Sequence, residues 1–180
     1  MTYAGGPGGP GTHQRWPVAG GQQPLRHSGP RADPVAFLLL LIAGACGLAQ
    51  YLVSGYPVGQ SFAGAGTVVT GEELLPVLVT LGTPTANVTR IALLVTTVGG
   101  GALILLAIST LLPINHRPLG GVALMFALAG IATSAWLLAQ AATVLGSPAT
   151  DLLSGDQLGW YLTAAFSVIG IAGSFKALGG

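Results

Sequence analysis

The 180-residue chain is 51% hydrophobic and only 6% charged, and a mean hydropathy of +0.73 implies more apolar surface than a soluble core of this size can bury. A formal net charge of +1 provides neither the broad basic field that nucleic-acid binding needs nor an acidic surplus. With Cys46 as the single cysteine, the chain alone can form neither an intramolecular disulfide nor a thiolate metal site. The expected class is all-α, a polytopic four-helix membrane bundle whose first partner is the lipid bilayer.

Residues 1–34 hold eight glycines and six prolines, a composition that favours a disordered tail. His13, His27 and His116 lie far apart on polar segments and read as solvated side chains rather than metal ligands. The first uncharged run long enough to cross about 30 Å of hydrocarbon covers residues 35–56. Within it, Ala43, Gly44 and Ala45 before Cys46 loosely resemble a lipoprotein processing box. The run continues well past that point, however, and Cys46 reads as a small apolar side chain packed in a helix.

The loop 57–90 is the one extramembrane piece large enough to fold, and its apolar patch at 74–81 needs cover from water. Thr70 and Glu73 have capping-box spacing, while Gly71 and Pro76 argue for a short, kinked or interfacial helix. Pro84 after Thr83 has the form of an N1 proline that starts the next helix above the membrane. Glu72, Glu73 and Arg90 are a candidate outer-loop polar cluster, weighed against a plain solvated face. Further spans are expected at 91–112, 119–145 and 158–175. The last is diluted by Gly, Ala, Ser and Thr, so its insertion leans on its neighbours.

Five of the six basic residues, Arg15, Arg26, Arg31, Arg117 and Lys176, fall on one side of this topology. Glu72, Glu73, Asp151 and Asp156 fall on the other, together with Arg90. The positive-inside rule then puts both termini of a multi-pass plasma-membrane protein in the cytoplasm. Tyr51, Tyr56, Trp136, Trp160 and Tyr161 are expected to form the outer interfacial belt.

No Asp, Glu, Lys, Arg or His lies inside any span, so the intramembrane charges that proton relays and coupled transporters use are missing from the sequence. What the spans carry instead are small residues at helical spacing. Ala36, Ala43, Gly47, Gln50 and Ser54 share one face of the first span, and Thr96, Gly100, Ala107 and Thr110 one face of the second. Gly120, Ala123, Ala127, Gly130 and Ser134 mark the third, and Gly159, Thr163, Gly170 and Ser174 the fourth. The candidate helix-packing positions are Ala43, Gly47, Gln50, Gly100, Gly130 and Gly170, with Gly47 the most sensitive and Leu39 away from the packed face. No catalytic, cofactor-binding or metal-binding residue is assigned.

The run Gly47-Leu48-Ala49-Gln50-Tyr51-Leu52-Val53-Ser54-Gly55-Tyr56-Pro57 resembles the end of the first span in an actinobacterial, largely mycobacterial family of four-span membrane proteins of unknown function, typified by the so-called 34 kDa antigenic protein. The opening Met1-Thr2-Tyr3 with its Gly/Pro-rich tail and the Gly159-Trp160 pair are similar too. The resemblance implies an actinobacterial plasma membrane and cell-envelope association, and it implies no catalytic residue. The expected function is a membrane-embedded interaction or scaffold protein without catalysis, partnered by other membrane proteins or by itself. The alternative is a small transporter, channel subunit or accessory for a neutral or apolar solute, which would need a polar cavity, with Gln50, Thr96, Thr97, Thr133 and Ser134 as the candidates.

Overall fold

The computed structural model describes residues 32–53, 55–59, 67–154 and 158–179. Residues 1–31 of the tail expected at 1–34 and the stripe residue Ser54 lie outside them. Helix α1 (Pro34–Leu52) begins one residue earlier than its apolar run, because the Asp33 carboxylate accepts the Val35 and Ala36 N–H groups at 3.1 and 3.0 Å and Pro34 fills the first turn. It also ends earlier than expected. The chain turns extended at Val53, and Tyr56 enters a short strand, β1 (Tyr56–Val58), paired antiparallel with β2 (Thr67–Val69).

Helix α2 (Gly71–Leu81) starts with both bonds of the capping box, Glu73 N–H to Thr70 Oγ1 at 3.1 Å and Thr70 N–H to Glu73 Oε2 at 2.9 Å. It stops at Gly82, whose φ of 60° is left-handed backbone that glycine adopts without a Cβ penalty. Thr83 then caps α3 (Pro84–Thr110) through the Ala86 N–H at 3.1 Å. At 27 residues α3 is about 40 Å long, so its first turns project beyond the hydrocarbon, as the Thr83-Pro84 pair implies. Helix α4 (Arg117–Val144), a single turn α5 (Ala149–Leu152) and α6 (Leu158–Gly179) complete the chain. Four of these helices, α1, α3, α4 and α6, are long and apolar enough to span a bilayer, so the protein is a multi-pass membrane protein by length and composition.

The four long helices form a ring. α1 packs on α3 and α6, α4 packs on the same two, and the diagonal pairs barely touch. The diluted last span therefore has two full neighbours to lean on. Asp33 ties three helix ends together: its N–H donates to Thr110 O at 3.1 Å and its carboxylate lies 3.4 Å from Lys176 Nζ. Burial raises the Asp33 pKa, but the Ala36 and Val35 N–H groups and the Lys176 ammonium outweigh it and hold the carboxyl below its ordinary value of 3.8. At the opposite end of the bundle, β1, β2, α2 and α5 build a cap. The apolar patch of α2 finds its cover there, since Leu74 and Leu78 are buried with Tyr56, Val58, Ala86, Leu145 and Leu152. A second core, with Leu40, Ala43, Leu103, Ala107, Ala123 and Phe166, fills the half of the bundle toward Asp33.

Candidate functional site

The interior of the bundle is organised around two aromatic rings. The first is Phe166 of α6, fully buried. A Cβ on Gly47 of α1 would sit 2.7 Å from its Cδ2, one on Gly130 of α4 would sit 2.6 Å from its Cδ1, and one on Gly99 of α3 would sit 3.3 Å from its Cζ. Three helices thus each lend a glycine to the ring of the fourth. Beside this cup α1 and α3 meet backbone to backbone: a Cβ on Gly44 would lie 2.6 Å from Gly100 O, and one on Gly100 would lie 2.8 Å from Gly44 O. In lipid, where helix association rests on close van der Waals contact, such approaches are the main attraction. Gly170 faces Ala127, its added Cβ 3.1 Å from the alanine methyl and 3.7 Å from that of Ala43.

Every described member of the four small-residue stripes is buried, including Ala43, Gly47, Gln50, Gly100, Gly130 and Gly170. They point into this chain's own bundle. Sequence reasoning missed Phe166, Gly44 and Gly99. The Gly44-x-x-Gly47 spacing was a readable signal for one of them, and the phenylalanine had none, being one apolar residue among many. Leu39 is not clear of the packing either: an added Cβ on Gly173 would meet its Cβ at 3.1 Å.

The second ring is Tyr56. Expected in the interfacial belt, it is instead fully buried, because the chain leaves α1 early and β1 turns the side chain into the bundle. Its hydroxyl donates to Gln50 Oε1 at 2.5 Å and lies 3.2 Å from Thr163 Oγ1 and 3.4 Å from Gly159 O. Gln50 in turn donates from Nε2 to Thr97 Oγ1 at 2.9 Å, which assigns its amide orientation. The cluster joins α1, α3, β1 and α6. Gly159 makes room for it, since a Cβ there would lie 2.8 Å from Tyr56 Cε2.

The hydroxyls of Thr96, Thr97, Thr133 and Ser134 return to their own helices. Thr96 donates to Ala92 O at 2.7 Å, Thr97 to Leu93 O at 2.9 Å, Thr133 to Ala129 O at 3.0 Å and Ser134 to Gly130 O at 3.0 Å. Trp136 Nε1 reaches Thr89 Oγ1 at 3.0 Å and Trp160 Nε1 reaches Ser134 O at 3.1 Å, so these two indoles of the expected belt also brace helix pairs. Each side chain proposed for a polar path is therefore engaged in packing.

Glu72, Glu73 and Arg90 are all exposed, and among the described residues no ion pair joins them. Glu73 serves the capping box. Helix α2 turns Leu74 and Leu78 to the bundle and its acids to the outside. His116, expected to be solvated, is buried at the start of α4. Among the described residues no three His, Cys, Asp or Glu side chains gather as a metal site would require. No family model, no curated protein and no solved structure matches this chain, so what it does has to be argued from its own geometry.

Proposed function

We propose that the chain is a membrane-embedded interaction or scaffold protein of a bacterial plasma membrane, without catalytic activity of its own and with both termini in the cytoplasm. The observation that carries the reading is the closure of the interior. Gln50, Thr96, Thr97, Thr133, Ser134 and Thr163 each donate a hydrogen bond to a neighbouring helix or to their own backbone. A transport path or an active site needs polar groups left over for a solute. What such a bundle offers to partners is its outside, the lipid-facing aliphatic surface and the outer cap. The orientation follows from Arg117 and Lys176 at one end and Glu72, Glu73 and Asp151 at the other, and the actinobacterial envelope from the resemblance at 47–57.

Crosslinking the chain in its native membrane, followed by mass determination, tests this reading. One stoichiometric partner or a second copy is the expected result, and a strict monomer that conducts a solute in reconstituted vesicles would overturn it. Reporter fusions after Arg31, near Gly82, after Arg117 and at Gly180 should read inside, outside, inside and inside. An outside reading at either terminus would reverse the topology.

A further inference from the structure

The Tyr56 cluster has the build of a receptor and its ligand. The receptor belongs to the spanning helices: Gln50 on α1, oriented by Thr97 of α3, and Thr163 with the Gly159 carbonyl on α6. The group it holds does not belong to them. It is a phenol delivered by β1, from the segment between spans, fully enclosed and with its hydroxyl at the polar end of the site. Gly159 supplies the space beside the ring, and Leu93, Leu137, Leu74 and Leu78 belong to the same core. The arrangement combines apolar walls with a few convergent polar groups, which is how small-molecule sites are made.

We propose that the outer half of the bundle is a binding site for an aromatic ring bearing a hydroxyl, occupied in the native chain by its own Tyr56. The site fastens the outer cap to the spanning helices through that one side chain, and an external phenol gains entry only where Tyr56 is gone. This goes beyond the interaction reading and does not rest on it. Removing the ring leaves a cavity that the surrounding helices fill only in part, and such cavities take up ligands of the deleted shape.

The test uses the full chain in lipid nanodiscs, as Tyr56→Ala and, for contrast, Phe166→Ala. Tyr56→Ala should melt roughly 10 °C lower than the native protein, on the scale of a buried aromatic deletion. Adding p-cresol should raise its melting temperature saturably, and toluene, which lacks the hydroxyl, should do so clearly less. Phe166→Ala should show the opposite preference, because glycines line the space of the ring and the hydroxyl beside it, Ser167 Oγ, already donates to Thr163 O. The native protein should respond to neither. No saturable p-cresol shift in Tyr56→Ala, an equal shift in the native protein, or toluene acting as well as p-cresol would overturn the proposal. Should Tyr56→Ala aggregate on extraction, expression and extraction with p-cresol present becomes the readout: recovery of monodisperse protein supports the site, and no recovery overturns it.

Discussion

The two halves of the bundle each bury one aromatic ring, and they hold it by different physics. Phe166 is held by shape, in a cup where Gly47 and Gly130 leave out a Cβ that would collide with the ring and Gly99 one that would press on it. Tyr56 is held by hydrogen bonds to Gln50 and Thr163, in a core that also carries the leucines of α2 and the cap. The difference teaches where each half is vulnerable. Around Phe166 the contacts are steric, and the buried hydroxyls of Ser167 and Ser174 donate to their own helix, so steric changes dominate there. The Tyr56 half is close-packed as well, at Gly55 and Gly159, but it responds in addition to the loss of a donor or acceptor.

The largest effect should come from filling the cup. Gly47→Leu places its branch against Phe166 Cδ2 and the Gly100 backbone, and backbone cannot rotate away. Recovery of monodisperse protein after detergent extraction should collapse, while Leu105→Ile, on a side chain 68% exposed on the lipid face, should extract like the native chain. Equal recovery of both variants would dissolve the contrast between a packed and a lipid-facing surface. Emptying the cup ranks next: Phe166→Ala should cost about 3 to 5 kcal/mol, measured by reversible unfolding in mixed micelles.

Tyr56→Phe keeps the volume and removes the hydroxyl, so it should cost less, about 1 to 3 kcal/mol, by leaving the Gln50 carbonyl without its donor. Adding Gln50→Leu to Tyr56→Phe should cost less than the sum of the two single changes, since both ends of one hydrogen bond then vanish together. Strict additivity in that cycle would mean that the pair is not coupled.

Much of this fold was legible in the chain, for physical reasons that also explain what was not. Span number follows from uncharged length, and the caps at Thr70-Glu73 and Thr83-Pro84 are local hydrogen-bond chemistry written in adjacent residues. The stripes marked the inner faces because small residues recur at the helical period wherever backbones approach. Tyr56 misled because tyrosine near a span end ordinarily anchors at the headgroups, and nothing local announces that β1 will turn it inward. The hairpin itself was unreadable: two three-residue strands, one containing Pro57, are too short to show alternation. Asp33 before Pro34 was a readable helix start, yet its link to Lys176 spans nearly the whole chain and no spacing encodes it.

The smallest effect belongs to that link, which lies outside both cores. Asp33→Ala should cost about 1 kcal/mol, mostly as a lost N-cap. Because the folded carboxyl titrates below its ordinary value of 3.8, its contribution is complete above that value and is lost as the pH falls through the folded one. The native protein should therefore lose its margin over Asp33→Ala only under strong acid. A margin that already disappears near neutral pH would assign the stabilisation to another group.

The central claim, an interior closed by packing and hydrogen bonding, is tested most directly by thiol accessibility in a Cys46→Ser background. Thr163→Cys, beneath Tyr56, and Val79→Cys, 52% exposed on the cap, are treated in sealed vesicles with a small membrane-impermeant thiol reagent applied to the cap side. The closed interior predicts rapid labelling at position 79 and none at position 163 until the protein is unfolded. Comparable labelling rates at the two positions would reveal an aqueous path through the bundle and contradict it.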